Sequence, residues 1–365
     1  MHSKIRQMEC KPKIRVHHLQ NGLTILIACY NASPTIEKTL DCLMNMCKVD
    51  NLPWEVLLVD NNSTDNSVTL AKNAWHGEGA LRIVQEERQG TGYAKFRGMQ
   101  EAKYAYIGIV DQDNWVDEDW MQKAVFYLNQ APNAAVIFGS GTPVFETPKP
   151  VWFDRYQQNF AVGSQYPTNG PILDPDNFFY AAGSVLRKEA FDDLTNFGFE
   201  PLLRSRTGTE LLSGEDTELQ ILLRLIGWEV HYQEDIHFRH YMPKERLSRR
   251  YFKSLRKGLG VTSVYLSLYR KYQQHLLDQS DPLSQSWRSL LHKSFLKVIG
   301  DPAAIAASLL PQYTVNFRVV KFWSLYGEFT ERLRLGSGFE KTRNRLYQWL
   351  ASLSERSKNL PLESI

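Results

Sequence analysis

The chain has 365 residues, of which 43% are hydrophobic and 23% are charged, and its formal net charge at pH 7 is +3. This length and apolar content suffice for one large domain or two. The net charge is too close to balance to argue by itself for nucleic acid, and no nucleic-acid partner is expected. The four cysteines form no Cys-x-x-Cys pair and do not cluster with histidines, which argues against zinc and a disulfide framework and favours a reducing compartment.

Residues 1–20 are predicted to form a polar leader without the apolar core of a signal peptide. No run of about 18 apolar residues occurs, so a transmembrane helix is not expected. Short apolar runs then alternate with amphipathic stretches. Strands are predicted at 23–28, 54–59, 81–84, 106–110 and 135–138, and helices at 35–46, 68–75 and around 94–102.

The alternation predicts an α/β fold with a mostly parallel sheet and right-handed crossovers. Because the carboxyl ends of parallel strands meet at one edge, the polar residues after each strand are expected to converge on one ligand crevice. Beyond residue 125 the alternation loosens. Residues 140–175 predict an irregular loop region, 178–186 a return to the sheet, and the chain from about 245 onward a set of helices.

Paired acids, Asp111 and Asp113, follow the fourth apolar run directly. Two carboxylates at this spacing suit a hard divalent cation that carries phosphate oxygens. A lone Asp-x-Asp is also common as a polar turn before a helix, so the motif needs partners elsewhere in the chain to indicate a metal site.

Further polar residues supply candidate partners. Glu215 and Asp216 precede a predicted helix at 219–226, where the helix macrodipole favours acids and where a carboxylate could also serve as a general base facing the crevice. His237 and His240 follow a probable strand that begins near residue 228. His240 is the stronger candidate for a metal ligand or phosphate contact, although histidines are often plain core or surface groups.

Several short polar or glycine-containing stretches follow one another along residues 22–260. They are Ala28-Cys-Tyr-Asn31, Val59-Asp-Asn-Asn-Ser-Thr-Asp65, Arg88-Gln-Gly90 with Arg97, Asp111-Gln-Asp113, Ala181-Ala-Gly-Ser184 followed by Leu186-Arg187, Gly214-Glu-Asp-Thr-Glu-Leu219 and His240-Tyr-Met-Pro-Lys-Glu-Arg246. In this order the motifs resemble the family-2 inverting glycosyltransferases of the GT-A fold, most closely the bacterial type that builds surface polysaccharides or glycan-modified lipids.

The resemblance implies a Rossmann-like GT-A domain at 21–245 and a helical C-terminal region at 246–365. It implies Asp216 as the catalytic base with Glu215 in support, and a divalent cation, Mn²⁺ or Mg²⁺, held by Asp113 with Asp111 and His240. Residues implied to bind the nucleotide-sugar are Ala28, Tyr30, Asn31, Asp60, Asn61, Gly90, Arg97, Asp111 and Gln112.

The implied reaction moves a sugar from a nucleoside-diphosphate sugar to a hydroxyl of a glycan or lipid-linked acceptor, with inversion. UDP is the expected nucleotide. Many relatives carry Asp where Asn61 stands and Pro near Cys29, and an amide can pair with uracil or suit another base. The expected location is the cytoplasm or the inner face of the plasma membrane, and a homo-oligomer is possible.

Two regions and two other functions stay open at this point. The basic segment 244–257 predicts either a helix packed on the core, a helix that meets anionic lipid, or a lid over the diphosphate. The aromatic residues of 150–170, Trp152 among them, are candidates for the acceptor site or for ordinary loop packing. The competing functions are a nucleotidyltransferase and a non-catalytic, membrane-associated scaffold.

Overall fold

The computed structural model describes residues 20–174, 177, 179–203, 211–278, 281, 283–310 and 315–358. Residues 1–19 of the predicted leader and residue 178 lie outside these residues, while Gln20 begins the first strand. Nine strands form one mixed sheet in the order β3-β2-β1-β4-β8-β6-β9-β5, with β7 paired to β9. The strands are β1 Gln20–Cys29, β2 Trp54–Asp60, β3 Ala80–Gln85, β4 Tyr104–Ile109, β5 Asn114–Val116, β6 Ala134–Phe145, β7 Gly170–Pro171, β8 Val185–Arg187 and β9 Glu229–Met242.

Helices alternate with these strands and then form the C-terminal region. They are α1 Ile36–Asn45, α2 Ser67–Ala74, α3 Thr91–Glu101, α4 Trp120–Gln130, α5 Phe153–Tyr156, α6 Lys188–Asn196, α7 Glu215–Leu225, α8 Arg249–Asp278, α9 Trp287–Ile299, α10 Pro302–Leu309, α11 Phe317–Leu335 and α12 Gly338–Lys358. A 3-10 helix, Gln157–Phe160, follows α5. Among the described helices, none combines the length and the apolar content that crossing a bilayer requires.

The first half of the sheet is parallel, as predicted: β2 and β4 both run alongside β1, and β3 runs alongside β2. Alternate residues of β1 enter two cores, because successive side chains of a strand point to opposite faces. Ile25 and Ile27 pack in a core with α1 and α4. Leu26 packs in the other core, with α3, α6 and α7. The predicted α/β architecture with C-terminal helices is therefore confirmed.

Helix α3 lies unusually close to β1. A Cβ at Gly98 would meet the Leu26 Cδ1 methyl group at 2.0 Å, so a larger residue requires the Leu26 side chain or α3 to shift. The close packing fixes α3 against the sheet with its first turn at the carboxyl end of β1. We expect any larger residue at Gly98 to push α3 outward and to displace the side chains that α3 presents at that edge.

The predicted strand 178–186 is mostly wrong, since only Val185–Arg187 pairs with the sheet in this stretch. Its preceding residues form a turn in which the Ser184 amide donates to the Ala181 carbonyl, at 3.0 Å. Gly183 has φ of +70° there, a conformation that does not fit a strand. The apolar composition of this stretch reflects burial beneath the crevice rather than strand pairing.

The basic segment 244–257 packs onto the protein through its apolar side. Leu247, Phe252 and Leu255 are buried in a cluster that also contains Phe153 and Phe160. This apolar side is therefore unavailable to lipid, and contact of the segment with a membrane stays a prediction that its exposed basic side would have to carry. The helical region also contributes to the α3 side of the sheet, where residues such as Tyr269 and Leu350 join the same core.

Candidate functional site

The carboxyl ends of β1 and β4, the start of α7 and the end of β9 surround one cleft of about 660 Å³. Most of the charged residues predicted from the sequence line this cleft. The charged and imidazole side chains in its wall are Lys95, Asp111, Asp113, Glu215, Asp216, His240, Arg246 and Arg270. All of them except Arg270 divide into two groups on the basis of their contacts.

The first group, the Lys95 cluster, comprises Lys95, Asp111, Glu215 and Asp216. The Lys95 Nζ lies 3.6 Å from Asp111 Oδ1, 3.8 Å from Glu215 Oε1 and 3.4 Å from Asp216 Oδ1. Burial would lower the pKa of Lys95, but the three carboxylates outweigh this effect and raise it. Through these ion pairs the buried Lys95 ammonium connects the end of β4 with the start of α7.

Asp216 is held rigidly within this cluster. Gly214, at φ of +123°, turns the chain into α7, and this places Glu215 and Asp216 in the first helical turn. The Ala181 amide donates to Asp216 Oδ2 at 2.9 Å. Burial raises the pKa of Asp216 to about 6, although Lys95 pulls it downward. The carboxylate is therefore ionised near neutral pH and still basic enough to accept a proton.

The second group, the Arg246 cluster, comprises Asp113, His240 and Arg246. Arg246 Nη2 lies 2.8 Å from Asp113 Oδ2, and Arg246 Nη1 lies 2.6 Å from His240 Nε2. Since a guanidinium has only donors, His240 Nε2 accepts and its proton is on Nδ1. That Nδ1 is buried, and within the described residues it has no hydrogen-bond partner.

Strand pairing explains how these three residues meet. The short strand β5 follows the Asp-x-Asp and pairs antiparallel with β9, with Asn114 opposite His240. The Tyr241 amide also donates to the Asp113 carbonyl at 3.0 Å. Just after β9 the chain turns, with the Arg246 amide donating to the Pro243 carbonyl, and this turn brings the guanidinium back to Asp113.

The donor set suits a divalent cation in part. Nowhere in the described ranges do three or more His, Cys, Asp or Glu side chains come together closely enough to hold a metal ion. However, Asp113 Oδ1 and His240 Nε2 lie only 3.5 Å apart in the cleft wall, so one ion could bind both once Arg246 Nη1 has released the lone pair of His240 Nε2. Mg²⁺ is commonly held by one or two carboxylates together with substrate phosphates, so an incomplete protein site fits such an ion.

Two predicted nucleotide-binding residues hold the cleft together from within. The Gln112 side chain accepts from the Tyr30 amide at 2.8 Å and donates to the Tyr30 carbonyl at 3.1 Å. The side-chain Nδ2 of Asn61 donates to the carbonyls of Glu86 and Arg88, and its Oδ1 accepts from the Gly90 backbone amide. Both side chains therefore position neighbouring loops, and direct contact between them and a nucleotide stays a prediction.

The other predicted nucleotide-binding residues differ in position. Ala28 and Tyr30 line the cleft together with Gln112 and Asn61, whereas Asn31, Asp60 and Gly90 lie beside it. Asp60 Oδ1 accepts from the Ser63 amide, and Asn31 Oδ1 accepts from the Thr64 amide. These bonds shape the loop after β2, next to the wall that Tyr30 forms.

Arg97 is not among the residues that line the cleft, so its contact with a nucleotide-sugar stays a prediction. Its Nη2 lies 2.8 Å from Glu101 Oε1 on the outer side of α3, and its side chain is 43% exposed. Lys95, two residues earlier, faces the cleft instead. His237 is likewise outside, with Nδ1 2.8 Å from Asp117 Oδ2.

Sequence reasoning missed Lys95 and Arg246 as site residues. Lys95 lies between two core residues of α3, Ala94 and Phe96, and buried apolar neighbours on both sides were the available signal that it points inward. Arg246 was part of a stretch that carries the family resemblance and of the basic segment, but it was given no role of its own. Its individual role depends on the turn after β9, which the sequence does not specify.

The aromatic loop hypothesis is wrong for Trp152. This indole stacks on Phe252, with ring centroids 4.8 Å apart and planes at 13°, and it does not line the cleft. Phe153 and Phe160 are buried in the same cluster. The residues that this loop does contribute to the cleft wall are polar or small: Gln158, Asn159, Ala161 and Gln165.

A comparison with protein families agrees with this geometry. Residues 24–195, from β1 to α6, match the model of glycosyl transferase family 2. These residues include the strand ends at β1 and β4 and the Asp111–Asp113 pair, while Asp216 and His240 lie beyond them. The chain thus contains a family-2 glycosyltransferase domain, and the family predicted from the sequence is confirmed.

Two curated relatives match part of the chain. Poly-beta-1,6-N-acetyl-D-glucosamine synthase of Staphylococcus aureus is 29% identical over 130 residues, which cover 36% of this chain and 31% of the relative. EpsH of Bacillus subtilis is 27% identical over 102 residues, which cover 28% of this chain and 29% of EpsH. The matched region therefore spans under a third of the length of either relative.

Among solved structures, the crystal structure of residues 1–349 of S. aureus TarS in complex with UDP-GlcNAc is similar to this chain. The TM-score is 0.52 at 14% identity, and the match covers 92% of this chain and 91% of the TarS chain. At this identity the similarity concerns the fold, which extends through the C-terminal helices of the present protein.

Proposed function

We propose that the protein is an inverting, cation-dependent glycosyltransferase that moves a sugar from a nucleoside-diphosphate sugar to an acceptor hydroxyl. The observation that carries the proposal is the position of Asp216. This carboxylate lies at the start of α7 in the same cleft as Asp111 and Asp113. In the chain it follows residues 24–195, which match the family-2 model. A base and a diphosphate-binding edge in one cleft are what a direct displacement needs.

Asp216 is the proposed base. It accepts the proton from the acceptor hydroxyl as that hydroxyl attacks the anomeric carbon from the face opposite the leaving group. The Ala181 amide and Lys95 fix the orientation of the carboxylate, and Glu215 keeps its pKa from falling. A single displacement requires no covalent nucleophile, so the sugar carbon is inverted.

The Arg246 cluster is proposed to receive the diphosphate. A guanidinium binds phosphate oxygens through paired charge-assisted hydrogen bonds, and Arg246 presents one in the cleft wall. Asp113 and His240, with Asp111 nearby in the wall, would hold Mn²⁺ or Mg²⁺. When bound, the cation neutralises charge that develops on the leaving diphosphate.

The proposed donor is a UDP-sugar, and UDP-GlcNAc is the first to test, because the similar TarS structure contains it and a curated relative is an N-acetylglucosamine polymer synthase. The proposed acceptor is a glycan or a lipid-linked glycan in bacterial surface-polysaccharide synthesis. We place the protein in the cytoplasm or on the inner face of the plasma membrane, where nucleotide-sugars are made.

The first experiment measures donor binding by calorimetric titration of the full-length protein with UDP and UDP-GlcNAc, with and without Mn²⁺. We expect binding about tenfold tighter or more with Mn²⁺, and loss of that difference in Asp113→Asn, because removing a ligand typically lowers metal affinity severely. Asp117→Asn is the matched control, since Asp117 lies on the surface against His237.

Other outcomes would contradict the proposal. Release of pyrophosphate from a nucleoside triphosphate would indicate a nucleotidyltransferase. Failure to bind any nucleoside-diphosphate sugar from a panel with either cation would favour a non-catalytic scaffold. Cation-independent binding that Asp113→Asn leaves unchanged would remove the metal from the proposal and retain the base.

A further inference from the structure

Helix α10, Pro302–Leu309, exposes an apolar face to solvent. Its inner residues Ala304 and Ser308 are buried against α11. The outer positions Ala303, Ala306 and Leu310 follow each other at the spacing of one helical face, and no charged residue lies within the helix. Leu309 and Leu310 are 76% and 60% exposed.

The end of α9 and the start of α11 pack with α10 in one apolar cluster that contains Val298, Ala304 and Val319, and both helices carry further exposed apolar side chains. Phe295, Leu296 and Ile299 are exposed in the last turns of α9, and Phe317 is exposed at the start of α11. Of the 11 large apolar side chains exposed in the described part of the chain, six lie between residues 295 and 317. We name these six residues the α9–α11 patch: Phe295, Leu296, Ile299, Leu309, Leu310 and Phe317.

Basic residues surround the patch. Residues 287–321 contain five Lys or Arg and one acid, Asp301. Lys293, Lys297, Arg318 and Lys321 are exposed on α9 and α11. Asp301 caps α10 through the Ala304 amide, and Arg318 Nε lies 4.0 Å from its carboxylate. The rim of the patch is therefore positively charged, as on surface helices that bind anionic membranes.

The patch is connected to the mouth of the cleft by a short stretch of chain. The Arg155 guanidinium lies 5.9 Å from the Phe317 ring, so α5 sits beside the start of α11. The 3-10 helix that follows α5 without a break carries Gln158 and Asn159, which line the cleft. A surface that docks on the patch would lie next to the cleft wall that these residues form.

We infer that the α9–α11 patch binds the surface of an anionic lipid bilayer. Apolar side chains enter the headgroup region while the surrounding lysines and arginines contact lipid phosphates. The inference that this docking presents a lipid-linked acceptor to the cleft rests on the proposed function. The binding itself does not.

The test is flotation of the full-length protein with vesicles of phosphatidylcholine alone or phosphatidylcholine mixed with phosphatidylglycerol. We expect the protein to float with the anionic vesicles only, and increasing salt to weaken binding. The double variant Leu309→Gln/Leu310→Gln should bind at least about tenfold more weakly, because it removes apolar contact without changing charge. Lys297→Gln/Lys321→Gln should weaken binding to anionic vesicles as well.

Phe126→Gln is the matched control, because Phe126 is an apolar residue of α4 that is 56% exposed outside the patch, and this variant should bind like the parent. Absence of flotation with anionic vesicles, or equal flotation of the leucine variant, would overturn the inference.

Light scattering without vesicles measures whether the protein is a monomer or a dimer. If the parent is a dimer that the leucine variant separates and neither binds vesicles, the patch joins two copies instead. The Asp216→Asn variant should still float, because it changes the proposed base and leaves the patch intact. Its flotation therefore separates a failure of the proposed function from a failure of the membrane inference.

Discussion

The two sides of the cleft differ in how cations and carboxylates are balanced. In the Lys95 cluster one ammonium faces three carboxylates, whereas in the Arg246 cluster one guanidinium faces one carboxylate and an imidazole that accepts its hydrogen bond. The first side therefore has an excess of negative charge and the second does not. Asp111 and Asp113, two residues apart, belong to different sides.

The comparison shows how the two acids of one short motif, Asp111 and Asp113, can contribute to proton acceptance on one side and to diphosphate binding on the other. Burial raises the pKa of Asp216, and the Glu215 and Asp111 carboxylates raise it further against the lowering effect of Lys95, so this side favours proton acceptance. A carboxylate already balanced by a guanidinium repels a substrate phosphate less than an unpaired carboxylate would. The proposed reaction needs both conditions within a few ångströms, on opposite sides of the anomeric carbon.

The largest effect is expected on the Lys95 side. Asp216→Asn removes the proposed base and should lower the rate of sugar transfer about 10³-fold, within the range for general bases. UDP binding, measured by titration, should stay near the parent value, because the Arg246 cluster is unchanged. Asp119→Asn, at an exposed acid paired with Lys123, is the control. A near-normal rate in Asp216→Asn would assign the base elsewhere.

A smaller and different effect is expected on the Arg246 side. Arg246→Met should weaken UDP binding by roughly tenfold, since it removes charge-assisted hydrogen bonds to the diphosphate. The loss should be greater without Mn²⁺, because Asp113 then faces the phosphates uncompensated. Arg239→Met serves as the control, as Arg239 is 48% exposed beside Asp117. Unchanged UDP binding with a reduced rate would contradict the division between the two sides.

Among the three variants, Lys95→Met is expected to have the smallest effect on activity when activity is measured at high pH. Since Lys95 lowers the pKa of Asp216 from the value that burial would give, its removal should raise that pKa above about 6. Activity of the parent should rise with pH through about 6 and then level off, as the base loses its proton. In the variant the rise should move upward by roughly one to two pH units.

The pH profile separates this role from a purely structural one. If Lys95→Met only disturbed packing, activity would fall equally at all pH values. We expect most of the loss to be recovered at alkaline pH. Arg97→Met, which removes an exposed cation from the same helix, should leave the profile in place.

The local pattern of the sequence contained most of the first half of the sheet. Apolar runs at 23–28 and 54–59 predicted β1 and β2 because parallel strands buried on both faces are apolar throughout. The run at 178–186 has similar composition but forms a turn around Gly183, since burial there comes from packing beneath the cleft. Composition reports burial, and strand pairing depends on neighbours that are distant in sequence.

The sequence by itself determined that carboxylates would gather at one sheet edge, because strand ends in a parallel sheet must converge there. Only the tertiary structure decided which side chains face inward. Lys95 and Arg97 lie on one helix two residues apart, and the close packing of α3 at Gly98 sends the first into the cleft and leaves the second outside. Arg246 reaches Asp113 across 133 residues of chain through a turn after β9, and a contact at such separation is fixed by the packing of the whole fold.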